Sequence, residues 1–123
     1  MNNFETLEKR VLVWAEDKDL IAYKNAKKQY GKFIEEAMEL GEAMVIADYV
    51  SFGLFKAGAV SLKEKEIKME MGDVLVTLII LAKDLGIDIT ECLGMAYDKI
   101  SKRTGETIDG VFVKSEDLEA ENE

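Results

Sequence analysis

The 123-residue chain contains no histidine, no proline and a single cysteine, and each absence excludes a class of site or structure. Without histidine the chain cannot form a Ser-His-Asp triad, a Cys-His dyad, a histidine-ligated zinc site or a Glu-x-x-His di-iron site. Cys92 is the only cysteine, which excludes an intrachain disulfide and a cysteine-based metal site. Because no basic residue nearby would activate its thiol, we expect Cys92 to be a small buried apolar residue. The lack of proline is compatible with long helices.

The chain also lacks the features that direct a protein to a membrane or to nucleic acid. Its longest apolar runs are too short to span a bilayer, and the segment MNNFETLEKR has no apolar core of a signal peptide. The net charge of −9 repels phosphate backbones. We therefore expect a cytoplasmic protein with no membrane partner and no nucleic-acid partner.

The length and composition indicate one globular domain, and the spacing of apolar residues indicates an all-α fold. We predict an antiparallel helical bundle of about four helices over residues 1–114, completed by oligomerisation. The segment SEDLEAENE, residues 115–123, holds five acidic residues and is interpreted as a solvated C-terminal tail. The four predicted helices cover residues 3–16, about 21–48, 61–85 and 88 to about 105.

Several local signals set these helix boundaries. Ser61 with Glu64 forms a capping box for the third helix, and Gly86 supplies its C-terminal stop. Asp88 with Glu91 repeats the capping pattern for the fourth helix. The segment YVSFGLFKAGAV, residues 49–60, predicts an interruption between the second and third helices. Gly110 and VFVK predict a short extended arm.

The run VLVTLIILA, residues 74–82, is compatible with either a buried strand or a helix. We prefer the helix, since the run continues from a charged segment without proline and ends on a glycine. A helix that is apolar all round must be enclosed, and in a chain of this size the enclosure requires a partner subunit. We therefore expect a homodimer or a homotetramer.

An acidic stripe marks the second predicted helix. At about 100° per residue, its glutamates lie within a sector roughly 120° wide, with Lys32 at the edge. A solvated helix face is one explanation, but such a face usually mixes lysine with glutamate. The stripe consists of Glu35, Glu36, Glu39 and Glu42.

A second acidic pair lies just before the apolar run. Glu70 and Asp73 are three residues apart and therefore neighbours on one helical face. If the two helices pack together, four or five carboxylates meet, and they cannot all remain ionised in a low-dielectric setting without a cation. Mg²⁺ suits oxygen ligands of this kind, and Mn²⁺ is a possible substitute. No segment resembles the calcium-binding EF-hand loop.

These motifs resemble a known family. The pattern Glu35-Glu36-x-x-Glu39 followed by Glu70-x-x-Asp73 is similar to the EExxE…ExxD signature of the all-α nucleoside triphosphate pyrophosphohydrolases, the MazG-like group. Lys32, the Gly-Asp step before the apolar helix, AYDKISKR and GVFVK add to the resemblance, which covers roughly residues 11–114. Two departures are the thirty residues between Glu39 and Glu70, and Asp98 in place of a common asparagine.

The resemblance implies Mg²⁺-dependent hydrolysis of a (deoxy)nucleoside triphosphate to a monophosphate and pyrophosphate, a reaction that serves nucleotide-pool housekeeping. The implied catalytic residues are Glu35 and Glu36. A helical oligomerisation or nucleotide-binding module without turnover is the alternative. The implied metal ligands are Glu36, Glu39, Glu70 and Asp73, and the candidates for substrate contacts are Lys32, Lys99, Arg103 and Trp14.

Overall fold

The computed structural model describes the backbone of residues 2–21, 25–51 and 59–121, and the side chains of residues 2–21, 25–46 and 63–118. It is mostly helical with one small two-stranded sheet, which confirms the all-α prediction. Two compact units are formed, one up to Asp88 with three helices and one from Ile89 onward. In chain order the elements are α1 (Phe4–Asp17), α2 (Ala26–Ser51), α3 (Ala59–Asp84), α4 (Ile89–Ile100), β1 (Gly105–Ile108), β2 (Val111–Lys114) and α5 (Ser115–Glu121).

Helix α1 has side-chain and backbone caps at its two ends. At the start, the Asn3 Oδ1 atom accepts a hydrogen bond from the Thr6 backbone N–H at 2.8 Å. At the end, Asp19 adopts a φ of +56°, which lets the Leu20 N–H reach back to the Ala15 carbonyl at 2.9 Å. The caps explain why the observed helix nearly coincides with the predicted residues 3–16.

In the first unit, α3 packs against both α2 and α1. The buried apolar residues come from all three helices, with most of them on α3. Residues 74–82 are helical, which confirms the preference for a helix over a strand. Within this run the buried hydroxyl of Thr77 donates to the Val74 carbonyl oxygen at 2.7 Å, so its polar group is satisfied. The buried apolar side chains are Ala15, Ala43, Ile79, Ile80 and Ala82.

The boundaries of α2 and α3 correct two predictions. Helix α2 begins at Ala26 rather than near residue 21, and it continues to Ser51. Helix α3 already includes Ala59, so Ser61 lies inside the helix and the predicted capping box is wrong. An N-cap residue has a non-helical backbone and lies just before the first helical residue, whereas residue 61 lies within the described helix. The centre of the predicted interruption, residues 52–58, lies outside the described residues.

The predicted stop at Gly86 is confirmed. Gly86 has a φ of +70°, a conformation that glycine adopts without the steric penalty of a side chain. Its N–H bonds to the Lys83 carbonyl at 3.0 Å, and the Ile87 N–H bonds to the Ala82 carbonyl at 3.0 Å. This pair of hydrogen bonds is the Schellman motif, which satisfies the last carbonyls of α3.

In the second unit, α4 begins directly after Asp88, as predicted, but it ends at Ile100 rather than near residue 105. Residues 105–114 instead form an antiparallel hairpin, with Gly105 opposite Lys114. The turn residues Asp109 and Gly110 have φ values of +51° and +80°. Positive φ at both central positions is what a two-residue type I′ hairpin turn requires. The predicted extended arm VFVK is strand β2 of this hairpin.

The hairpin also explains the glycine at position 105. A Cβ atom there would clash with the carbonyl oxygen of Val113 and lie 2.8 Å from Cζ of Phe112. Glycine is therefore required by the close approach of β2.

Two further expectations in the second unit need correction. The acidic tail includes helix α5, which packs against both strands of the hairpin rather than remaining a loose end. Cys92 is exposed, because the described side chains of α4 from Thr90 to its end are all exposed. Among the residues that the structure describes, no helix combines the length and apolar character needed to cross a bilayer.

Candidate metal centre

Three carboxylates from two packed helices meet in the first unit. Glu36 comes from α2, and Glu70 and Asp73 come from α3. One carboxylate oxygen of each lies within 4.8 Å of the other two. The spacing of three residues puts Glu70 and Asp73 on one face of α3, and the packing of α2 against α3 adds Glu36.

The remaining acids of the stripe are placed differently. Glu39 lies outside the group of three, but its side chain hydrogen-bonds with that of Glu36. It is half-buried, whereas Glu42 is exposed. Of the four residues predicted as metal ligands, the structure brings three into one group and puts the fourth, Glu39, beside it.

The pKa of Glu36 is raised above its ordinary value of 4.5. The largest cause is the loss of solvent around a side chain that is only 13% exposed. The hydrogen bond with Glu39 and the negative charges of Glu39 and Asp73 act in the same direction, while Lys32 opposes them. The local environment therefore disfavours the ionised form of Glu36 unless a further positive charge is present.

Glu70 provides an independent sign that a cation is needed. Its Oε2 atom is buried and has no hydrogen-bond partner among the described residues. A buried carboxylate oxygen without a partner is unfavourable, because it has lost its water and gained nothing in return. The candidate ligand atoms of the group are all carboxylate oxygens, which are hard ligands of the kind that Mg²⁺ and Mn²⁺ prefer. The residues present therefore fit a divalent cation.

Lys32 sits at the edge of the acidic group. Its Nζ atom is 3.4 Å from Oε2 of Glu35 and 3.6 Å from Oε1 of Glu36. These contacts, first of all the hydrogen bond to Glu35, raise the pKa of Lys32. Glu35 itself is 56% exposed, so this pair borders the group on its solvent side. Lys32 is therefore held in place by Glu35, next to the candidate metal site, and by Glu36, which belongs to it.

A cleft of about 400 Å³ between α1 and α3 adjoins the acidic group. It shares Asp73 with that group, and the predicted substrate residue Trp14 lies in the same cleft with half of its surface exposed. A largely apolar cleft of this volume is in the range of small-molecule sites. Its lining consists of Leu7, Arg10, Val11, Trp14, Asp73 and Val76.

Arg10 is a candidate site residue that the sequence predictions did not include. It follows Leu7 by three residues and precedes Trp14 by four, so all three share a face of α1. Among the described residues, no carboxylate forms an ion pair with Arg10. The one signal in the sequence for Arg10 was its position between Leu7 and Trp14 on the same helical face. An isolated arginine matches no motif.

The other predicted substrate residues belong to the second unit. Lys99 is exposed in the last turn of α4, and Arg103 lies beyond the end of that helix. Although these two residues are four apart, they do not share a helical face, because the helix stops at Ile100. Arg103 is half-buried. Asp98 is exposed, and its backbone carbonyl accepts a hydrogen bond from the Ser101 hydroxyl at 3.1 Å.

The helical fold and the acidic group are consistent with an all-α nucleotide pyrophosphohydrolase. A family model of the MazG nucleotide pyrophosphohydrolase domain matches residues 26–108. The chain belongs to this family, which confirms the resemblance seen in its motifs. The match includes both acidic segments, whereas α1 lies outside it. Comparisons with curated proteins and with solved structures find no significant match.

Proposed function

We propose that the chain hydrolyses (deoxy)nucleoside triphosphates between the α and β phosphates, releasing a monophosphate and pyrophosphate, in nucleotide-pool housekeeping. The observation that carries the proposal is the group of three carboxylates from α2 and α3, in which a buried oxygen of Glu70 has no hydrogen-bond partner among the described residues. Membership of the MazG nucleotide pyrophosphohydrolase domain family supports the same reaction.

The proposed metal ligands are Glu36, Glu39, Glu70 and Asp73, and the proposed ion is Mg²⁺, with Mn²⁺ as a substitute. When bound, the ion would neutralise phosphate charge and make a bound water more acidic. Glu39 is included because it hydrogen-bonds with Glu36 across one helical turn. Ionising both side chains would release it from that bond and let it turn toward the ion.

Glu35 and Glu36 are the proposed catalytic residues. Glu35 would take a proton from the attacking water or help to hold a further ion, and Glu36 would act as a ligand of the ion. Glu35 is half-exposed and tethered by Lys32 at 3.4 Å, so it is both accessible and oriented. Glu36 lies beside Glu35 on α2 and belongs to the group of three carboxylates, so its proposed part in the reaction is to hold the ion next to that base. Phosphoryl transfer otherwise requires positioning and charge stabilisation, which acids, an ion and a few cations can supply.

The cleft beside Asp73 is the proposed nucleotide pocket. Trp14 offers a face on which a base can stack, and its half-exposed surface is available for this contact. Arg10 in the same cleft and Lys32 at the edge of the acids are proposed to contact phosphate oxygens. We propose the same role for Lys99 and Arg103.

The proposed assembly is a homodimer or a homotetramer. Large apolar side chains on α2 and α3 are exposed in the single chain, including Met38 at 63%, Met69 at 63% and Val45 at 53%. Burial of such side chains against a second copy would remove them from water and add a favourable free energy. Sedimentation equilibrium would test this proposal, and a monomer at micromolar concentration would contradict it.

The activity is tested by measuring pyrophosphate release from a panel of ribo- and deoxynucleoside triphosphates, with Mg²⁺ and with a chelator. We expect release from at least one substrate, and only with the metal. Asp73→Ala and Glu39→Ala should abolish turnover while far-UV circular dichroism stays unchanged, because each change removes a proposed ligand and relieves repulsion.

Glu42→Ala is the matched control, since Glu42 is an exposed acid on the same helix outside the group of three. It should retain the wild-type rate. Failure to release pyrophosphate from every substrate would contradict the hydrolase assignment and favour the module without turnover. A wild-type rate in Asp73→Ala would instead contradict the assignment of the site.

A further inference from the structure

The second unit contains a cleft of its own, about 400 Å³ in volume. It lies where the segment after α4, the hairpin and the start of α5 come together. Lys102 and Arg103 enter it from the segment before β1, and Lys114 enters it at the end of β2. The remaining lining residues are Thr104, Ser115 and Glu116.

The backbone holds the two sides of this cleft in a fixed arrangement. Gly105 pairs with Lys114 in the hairpin, and the Ser115 N–H donates to the Thr104 carbonyl at 2.8 Å. The hydroxyls of Thr104 and Ser115 are also 2.8 Å apart. One hydroxyl donates to the other, so the proton of the accepting hydroxyl remains available to a ligand.

The charge of this cleft is opposite to that of the chain as a whole. Three cations line it against one carboxylate, in a chain whose net charge is −9. Among the described residues, no acid lies within 4.0 Å of the charged groups of Lys102, Arg103 or Lys114. Neighbouring positive charges that outnumber the nearby negative charge repel each other, and a bound anion would relieve this repulsion.

We propose that this cleft binds a phosphate or pyrophosphate group directly, without a resident metal ion. Lysine and arginine form charge-assisted hydrogen bonds with phosphate oxygens, and a hydroxyl adds a neutral donor. Glu116 reduces the positive charge but leaves an excess of two. Arg103 already has a proposed phosphate contact, while Lys102 and Lys114 receive a role only here.

The test is calorimetric titration of the full-length chain with inorganic pyrophosphate in a chelator, so that no divalent ion contributes. We expect wild type to bind and Lys102→Ala/Lys114→Ala to bind about tenfold more weakly or worse, because two charge-assisted contacts are lost. Wild-type affinity in this double variant, or no binding by wild type, would overturn the proposal.

Two further variants separate a local site from general effects. Lys9→Ala/Lys28→Ala removes the same charge from the first unit and should bind as wild type does; an equal loss of affinity would show that net charge alone is responsible. Lys102→Ala alone covers the case in which the double variant unfolds, since Lys102 is exposed and precedes both strands. It too should weaken binding, and no change would count against the cleft.

The source of the phosphate group is decided by a second ligand, a nucleoside triphosphate with a non-hydrolysable α,β-methylene bridge. Weaker binding of both ligands to the double variant would identify the cleft as a site for the nucleotide's own phosphates. Weaker binding of pyrophosphate alone would identify a site for the free ion. No loss for either ligand would refute the proposal.

The inference does not depend on the proposed hydrolase activity. Glu36→Gln/Asp73→Asn removes two proposed metal ligands and should leave pyrophosphate binding in chelator intact. If the hydrolase proposal fails, the result for pyrophosphate binding is therefore unchanged. If the cleft proposal fails, turnover still tests the metal centre.

Discussion

Replacing Glu36 by glutamine should stabilise the chain when no divalent ion is present and strongly reduce its response to Mg²⁺. Glu36 is the α2 member of the acidic group, only 13% exposed, and its pKa is raised mainly by this burial. Glutamine keeps the shape and the hydrogen-bonding capacity of the side chain and removes the negative charge. The same substitution removes one proposed ligand of the ion.

The size of the effect follows from the distances in the group. Two unit charges 4.8 Å apart repel by about 3.5 kcal/mol at an effective dielectric constant of 20, and by about 0.9 kcal/mol in bulk water. Since Asp73 is exposed, we take values near the lower limit for the repulsions of Glu36 with Glu70 and Asp73. The lost ion pair with the half-exposed Lys32 offsets only a small part of this gain, because solvent screens exposed pairs.

The net stabilisation is therefore about 1–2 kcal/mol, which corresponds to a rise of roughly 4–8 °C in melting temperature for a chain of this size. Thermal unfolding followed by far-UV circular dichroism, in chelator and in excess Mg²⁺, measures both parts of the prediction. In Mg²⁺ the wild-type melting temperature should rise, because binding to the folded state stabilises it, and the rise should be much smaller in Glu36→Gln.

Glu42→Gln provides the control, because it makes the same charge change on the same helix at an exposed position outside the group. It should melt close to wild type in chelator and keep the response to Mg²⁺. If Glu36→Gln melts no higher than Glu42→Gln in chelator, the repulsion inferred from the geometry is absent. An undiminished Mg²⁺ response in Glu36→Gln would exclude Glu36 as a ligand.

Three other perturbations have defined outcomes. In the folded, metal-free chain the pKa of Glu36 is raised above 4.5, so the folded state binds this proton more tightly than the unfolded state. The free energy of unfolding should therefore fall as pH rises from 4.5 through the raised pKa. Thermal melts in chelator should show a shallower dependence of stability on pH for Glu36→Gln. Trp14→Ala should raise KM about tenfold with a smaller change in kcat, while Trp14→Phe keeps most of the stacking. Gly86→Ala should destabilise the chain by about 1–2 kcal/mol, because its φ is +70°. Gly94→Ala provides the control, because position 94 lies inside α4 and no atom of the described residues lies within 4 Å of the added Cβ; thermal melts should show no destabilisation.

The helices were predictable where a residue's own chemistry determines the backbone. Gly86 stops α3 because glycine adopts a positive φ without the steric penalty of a side chain, and this prediction is confirmed. The Ser61–Glu64 pattern failed because serine and glutamate three residues apart occur inside helices as well as at their starts. Whether such a pattern caps a helix depends on the conformation of the residues before it. The Ser-x-x-Glu pattern itself carries no information about that conformation.

The hairpin was missed although a signal for it is present. The Asp109-Gly110 step supplies the two positive φ values of a type I′ turn, with β-branched residues on either side. We gave more weight to the helical pattern before it and extended α4 too far. The formation of helix α5 was not predictable from the acidic composition of the segment. This helix packs against the hairpin, and such packing depends on contacts between separate elements.

The acidic site was predictable one helix at a time. Spacing puts Glu70 and Asp73 on one face of α3, and it puts the glutamates of α2 on one stripe. Spacing does not determine which part of that stripe faces α3. The packing does, and it selects Glu36 for the group, sets Glu39 beside it and leaves Glu42 exposed.

The cleft beside the acids has two walls with different relationships to the family. Asp73 and Val76 lie within the matched residues 26–108, whereas Arg10 and Trp14 lie on α1, outside them. If the acids hold the ion and α1 holds the base, a change in the acids should affect every substrate alike. A change on α1 should instead alter the ratio of kcat/KM between substrates, because only the base and sugar differ among them. Nucleotide preference in this chain is therefore expected to follow from the face that α1 presents to Asp73.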